Sequence, residues 1–220
     1  IFFRSFVLNA TMPKEVKPKK VPKEVADAKK KPYAREKQKE MTRSVKVPAH
    51  RYTPLKEHWM EIYTPLVDQC KLEVRMNLKN RTVDIRPSKE CTDPKNMGQK
   101  GVDFVTAFIL GFEVPDCLAL LRMDDIFLNS FMIKDVKTLE GDHLSRAIGR
   151  MSGSKGKTKF TIENQTRTRI VLAGSHVHIM GSFQNIRVAR RAFSELIRGS
   201  PAGKIYRQVE GTMNRVNDSF

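Results

Sequence analysis

Two glycines three residues apart, Gly153 and Gly156, stand between two stretches of helical periodicity, and this placement constrains the fold more than any other feature of the chain. One helical stretch covers 142–150 and the next opens at Lys157. A four-residue link between two helices needs backbone angles that L side chains resist, and glycine supplies them. It also leaves the backbone bare of Cβ atoms, so a second chain can come close. The following helix brings its unpaired N–H groups and the positive end of its dipole to the same point. Lys155, Lys157 and Lys159 add mobile positive charge there. Glycines at this spacing are common; helices on both sides make them informative.

The elements around the loop follow an order that occurs twice. In the second half, a strand is expected over 131–136, helices over 142–150 and 157–163, and strands over 169–172 and 177–180. A long helix over 185–197 comes last, with Ile186, Ala189, Phe193 and Ile197 at spacings of three or four. Gly199 and Pro201 are expected to end it. In the first half, 44–48 alternates as a short strand. Thr53 suits an N-cap and Pro54 the first helical position. Leu55, Trp59 and Ile62 recur at helical spacing, and Pro65 should kink or split a helix that runs to about Cys70. Leu72, Val74 and Met76, then Val83 and Ile85, alternate on either side of a turn at Asn80, the signature of a hairpin. The apolar run 102–110 reads as a buried helix stopped by Gly111. A shorter helix from Pro115 connects the halves. Each half is thus α+β, a three-stranded antiparallel sheet covered on one face by three helices, and the two pack together.

The chain of 220 residues carries a net charge of +17 and a pI near 10.0. Such an imbalance strains a compact state and points to a polyanionic partner. Nucleic acid is favoured, and no membrane partner is expected, because no apolar run approaches the ~20 residues that span a bilayer. Residues 12–46 hold 13 Lys or Arg against 5 Asp or Glu, interrupted by Pro13, Pro18, Pro22 and Pro32. They cannot bury enough apolar surface to order themselves, so 1–42 is expected to be a disordered basic tail. It is either a solubilising extension or a non-specific RNA arm with a nuclear address. The apolar stretch 1–10, ahead of Met12, is expected not to belong to the working protein. Cys70, Cys91 and Cys117 form no CxxC pair, which argues against a disulfide framework and a thiolate zinc site and fits a reducing compartment. There are no paired carboxylates in a plausible fold context, no P-loop and no nucleophile elbow. No catalytic role and no cofactor are expected. His176 and His178 share one strand face and read as a structural pair.

The glycine loop in this context, with Ile148-Gly149-Arg150 before it and Thr166-Arg167-Thr168-Arg169-Ile170 after it, resembles the KH domain over 131–198. Each half then follows the KH-type β-α-α-β-β-α order, with domains expected over 43–122 and 123–220. In KH domains the loop clamps about four single-stranded nucleotides by their backbone. The residues expected at the RNA are Arg146, Ile148, Gly149, Arg150, Gly153, Ser154, Lys155, Gly156, Lys157, Thr158, Lys159, Arg167 and Arg169. Ile162 is expected in the core. A second glycine string, Gly98-Gln99-Lys100-Gly101, falls after the first hairpin and is read as a decoy. The equivalent loop of the first half is expected over 49–55, where there is no glycine, so that half should lack an RNA clamp.

More specific still are the runs 139–150 and 160–172, together with Gly181-Ser182-Phe183-Gln184-Asn185-Ile186 and His58-Trp59-Met60. Over about 43–210 they resemble the partner-of-Nob (Dim-two-like) family of tandem-KH assembly factors of the small ribosomal subunit. The resemblance implies binding to single-stranded pre-ribosomal RNA near the 3′ end of the small-subunit rRNA. It also implies work beside the Nob-type endonuclease that makes the final cut, among small-subunit ribosomal proteins and other pre-40S factors. It further implies passage with the particle from nucleolus and nucleus to cytoplasm.

Overall fold

The computed structural model describes residues 42–91 and 93–218. The expected tail and the stretch 1–10 lie outside the described residues, apart from Thr42.

The first lobe opens with β1 (Arg43–Lys46), a 3-10 turn (Ala49–Arg51), α1 (Tyr52–Glu57) and α2 (Trp59–Asp68). The helical stretch breaks at His58, at φ −94° and ψ 14°, and not at Pro65 as expected. Pro65 rides inside α2 with its ring buried, and that packing offsets the hydrogen bond its missing N–H forfeits. Thr53 is not an N-cap, because α1 already begins at Tyr52. The hairpin is present as β2 (Leu72–Asn77) and β3 (Thr82–Pro87). The Asn77 side chain folds its turn by accepting from the N–H groups of Lys79 and Asn80 at 3.2 and 3.3 Å. The sheet order is β1-β3-β2, all antiparallel, with Val45 opposite Val83 and Val74 opposite Ile85. α3 (Pro94–Leu110) is about two turns longer than expected; it starts with a proline at its first position and stops at left-handed Gly111 (φ 115°). Leu55, Ile62, Leu66, Leu72, Val83, Ile85 and Phe104 fill the core between helices and sheet.

α4 (Val114–Arg122) leads to β4 (Ile126–Met132). The strand expected over 131–136 therefore lies five residues earlier, and 133–136 is instead one helical turn, α5 (Ile133–Val136). The Asp135 carboxylate accepts from the Met132 N–H at 2.9 Å and starts that turn. Simple alternation misplaces β4 because its apolar residues stand on both faces. Ile126 and Leu128 pack on the first lobe, while Phe131 enters the second core. α6 (Gly141–Ser152), α7 (Lys157–Thr166), β5 (Arg169–Ala173), β6 (His176–Ser182) and α8 (Phe183–Arg198) complete the expected order. The second sheet is β4-β6-β5, again antiparallel.

A final helix, α9 (Ala202–Asp218), was not expected. Gly199 ends α8 at φ 108° as expected, but the chain does not stop being helical there: Pro201 stands at the start of the next helix. Ile205, Val209 and Met213, four apart, are buried in the second core. The lobes share a seam: Met180 of β6 belongs to the first lobe's core, and Val171 packs against it. Among the described residues no helix is long and apolar enough to cross a membrane.

Candidate nucleic-acid interface

Three left-handed or glycine-only conformations within four residues shape the link between α6 and α7. Gly153 stands at φ 74° and ψ 178°, Lys155 at φ 53° and Gly156 at φ 78°. A Cβ on Gly153 would lie 2.2 Å from Thr158 Oγ1 and 2.8 Å from the Thr158 nitrogen. The first glycine is therefore required by the backbone that passes beneath it. Gly156 is the N-cap of α7 and has no side chain to cap the helix; the first N–H of α7, that of Lys157, donates to the Ser154 carbonyl, and the positive end of the helix dipole faces the loop. Ser154, Lys155 and Lys157 are exposed around this end.

On α6, Arg146, Gly149 and Arg150 are exposed at three- and four-residue spacing and share a face beside the loop. Arg146 donates to the Asp142 carbonyl at 3.3 Å. Ile148 is half-buried against the core, and Ile162 is fully buried, as expected. Arg167 is exposed and closes α7 in a left-handed conformation (φ 50°).

Three of the expected RNA contacts are otherwise engaged. Thr158 is buried, and its hydroxyl accepts from Tyr206 of α9 at 3.1 Å, so its side chain supports the loop from inside. Lys159 pairs with the buried Glu163 at 3.7 Å. Glu163 also accepts the Ile170 N–H at 2.7 Å and ties α7 to β5. Burial pushes the Glu163 carboxyl above its ordinary range, against the lowering pull of the Ile170 N–H and Lys159. Arg169 donates from Nε to Asp116 of α4 at 2.9 Å and so serves the seam between lobes; the Asp116 hydrogen bond and charge raise its pKa further. Sequence reasoning missed Tyr206 and Asp116. It also passed over Phe160, whose ring is more than half exposed and lies against Gly156.

The string Gly98 to Gly101 lies inside α3, where a Cβ on Gly101 would meet Leu72 Cδ1 at 2.7 Å. Its second glycine serves close helix–strand packing. The first lobe's equivalent of the clamp is not 49–55, which forms the 3-10 turn and the start of α1. The junction between its two helices is His58, flanked by Glu57 and Trp59 with no glycine. His176 and His178 stack at 6.2 Å, and His178 Nδ1 meets Ser130 Oγ at 2.7 Å.

A family model for the eukaryotic type KH domain (KH domain type I) matches residues 130–214, a span that takes in most of α9. "RNA-binding protein pno1" of Drosophila melanogaster is 57% identical over 176 residues, covering 80% of this chain and 73% of that protein. The chain belongs to the PNO1 family. "Pre-rRNA-processing protein PNO1" of Candida albicans is 58% identical over 179 residues, 81% of this chain and 64% of that one. Among solved structures, Dim2p from Pyrococcus horikoshii is 28% identical, with a TM-score of 0.67 over 77% of this chain and 98% of its own. A chain in the a/eIF2alpha–aDim2p–rRNA complex of the same organism is also 28% identical, with a TM-score of 0.70 over 79% of this chain and 94% of its own. The PNO1 relationship thus covers both lobes, while the KH model covers the second.

Proposed function

We propose that this chain is an RNA-binding factor of pre-ribosomal RNA processing, and that it grips a single strand with the loop Gly153-Ser154-Lys155-Gly156. The second of two domains, 123–220, carries the grip, and the first, 43–122, has no such loop. The observation that carries this reading is the left-handed loop opening onto the uncapped N-terminus of α7, with Ser154, Lys155 and Lys157 exposed around it. Backbone N–H groups and a helix dipole at one point suit a phosphate. The printed names of the relatives, which speak of RNA binding and pre-rRNA processing, support the class of partner. The rRNA in the Pyrococcus complex supports it too.

The finer reading is a strand near the 3′ end of the small-subunit rRNA, held while a Nob-type endonuclease makes the last cut. Small-subunit ribosomal proteins and other pre-40S factors would be neighbours on the particle, which this chain would accompany from nucleolus and nucleus to cytoplasm. The protein contributes grip and no chemistry.

The test is titration of single-stranded RNA from the 3′ region of the precursor against the full chain and its Ser154→Asp, Lys155→Asp double variant. Both side chains are exposed, so the fold is preserved, whereas an aspartate at Gly153 would collide with Thr158. Affinity should fall at least tenfold, since two carboxylates then face a phosphate. Unchanged affinity would sink the clamp and leave a protein scaffold with a basic surface.

A further inference from the structure

The outer face of α8 carries a row of arginines that the clamp does not use. Arg187, Arg191 and Arg198 recur at spacings of four and seven and are exposed, with exposed Arg190 flanking the row. The opposite face, with Ile186, Ala189, Phe193 and Ile197, is buried in the core, so the row points to solvent. From Arg187 to Arg198 the helix rises about 16 Å. Arg191 alone meets a carboxylate, Glu195, at 3.6 Å; among the described residues Arg187, Arg190 and Arg198 have no acidic partner. The guanidinium of Arg187 lies over the exposed Phe183 ring, 5.9 Å from its centre.

The row does not end at Arg198. Gly199 follows it, and a Cβ there would stand 3.6 Å from a guanidinium nitrogen of Arg150. Arg150 is on α6, three residues before Gly153. The basic surface therefore runs from the start of α8 along its length, across to α6 and into the glycine loop.

We propose that the α8 arginines hold the phosphate backbone of an RNA stem flanking the strand in the clamp. The chemistry favours a duplex backbone. Arginine offers planar bidentate donors that match phosphate oxygens, and every basic residue of this row is arginine. A straight, rigid helix face suits the regular phosphates of a stem. Single-stranded sites interleave aromatic platforms with charge, and along this row Phe183 stands only at one end. An apolar groove between α8 and α9, lined by Val188, Ala192, Ile205 and Val209, adjoins the row. Arg187 and Arg191 of the row also line it, and Gln208 of α9 donates to Glu195 of α8 at 3.0 Å across it. The inference rests on the clamp reading only in placing a strand at Gly153–Gly156.

The test compares a blunt RNA hairpin with a single-stranded oligonucleotide, each titrated against the full chain across a salt series. Arg187→Gln, Arg191→Gln and Arg198→Gln together should weaken the hairpin at least tenfold, flatten its salt dependence by about two to three counterions, and leave the single strand nearly unchanged. Ser154→Asp with Lys155→Asp should do the reverse. Three exposed lysines of the first lobe, Lys46, Lys79 and Lys89, changed together to Gln, control for bulk charge. A hairpin loss in the arginine variant no larger than in this control overturns the proposal and leaves the row to an acidic protein partner. If the loop variant spares the single strand while the arginine variant still loses the hairpin, the clamp reading fails and the stem site stands.

Discussion

At Gly153 the backbone sits at φ 74° and ψ 178°, a region essentially closed to side chains, and the Thr158 nitrogen fills the space a Cβ would need. Gly153→Ala should therefore cost at least about 2 kcal/mol in denaturant unfolding. Gly149, inside the preceding helix α6 with open space around it, makes the contrast: Gly149→Ala should stabilise by about 0.5–1 kcal/mol. Equal effects at the two glycines would contradict the strained loop. The buried titratable groups act in opposite pH windows. Glu163 has a raised pKa because burial penalises its charge. Its contribution to stability is full below pH 4.5, its ordinary value, and is lost as pH rises through the folded value. Glu163→Gln keeps an acceptor for the Ile170 N–H and should remove that loss. His178 has a lowered pKa, from burial first and from His176 second. Its contribution is present above pH 6.5 and is lost as pH falls through the lower folded value. Chemical denaturation as a function of pH, with Glu163→Gln and His178→Asn, separates the two; a profile that neither variant alters would refute both assignments.

Among the elements, α9 links the sequence to the clamp in a way that periodicity could have revealed. Ile205, Val209 and Met213 stand four apart, yet Gly199 and Pro201 read as a terminus. A proline stops a helix behind it and suits the start of one ahead, and only the apolar spacing beyond it decides between these. The alternating hairpin strands, the glycine loop and the amphipathic α8 were legible because each buries one face. β4 was not, because it carries apolar residues on both faces and they do not alternate. The engaged roles of Thr158 and Arg169 were also hidden, since their partners Tyr206 and Asp116 are set by tertiary packing, whereas Lys159 and Glu163 stand four apart on α7 and their pairing was open to a reading of helical spacing. α9 packs under α7, and Tyr206 reaches Thr158 beneath the loop. Ile205→Ala should cost about 2–5 kcal/mol through the cavity it leaves. Tyr206→Phe should cost about 1 kcal/mol and weaken single-strand binding without touching RNA, because it loosens the residue under Gly153. Full affinity in Tyr206→Phe would show that α9 supports the core but not the clamp.

The molecule as a whole is joined along the outer face of the second sheet. Met180, only 3% exposed, sits on a strand of one lobe and in the core of the other, with Ile126, Leu128 and Val171 packed around it. Asp116 and Arg169 close the edge of this seam at 2.9 Å. The ion pair is partly exposed and adds little, so the apolar contacts carry the coupling. Lobes coupled this way should unfold together. The sequence supplies a reporter: Trp59, its one tryptophan, packs against the first lobe's core. Met180→Ala changes a residue of the second sheet, and a buried methionine truncated in this way costs about 2–5 kcal/mol. Its effect should appear at Trp59. In urea, tryptophan fluorescence and far-ultraviolet circular dichroism should give one shared midpoint for the wild type, and Met180→Ala should lower both signals together. A tryptophan midpoint that stays in place while the dichroism midpoint falls would mean that the lobes unfold independently. The clamp would then be held by its own domain alone, with the first lobe packed beside it and not supporting it.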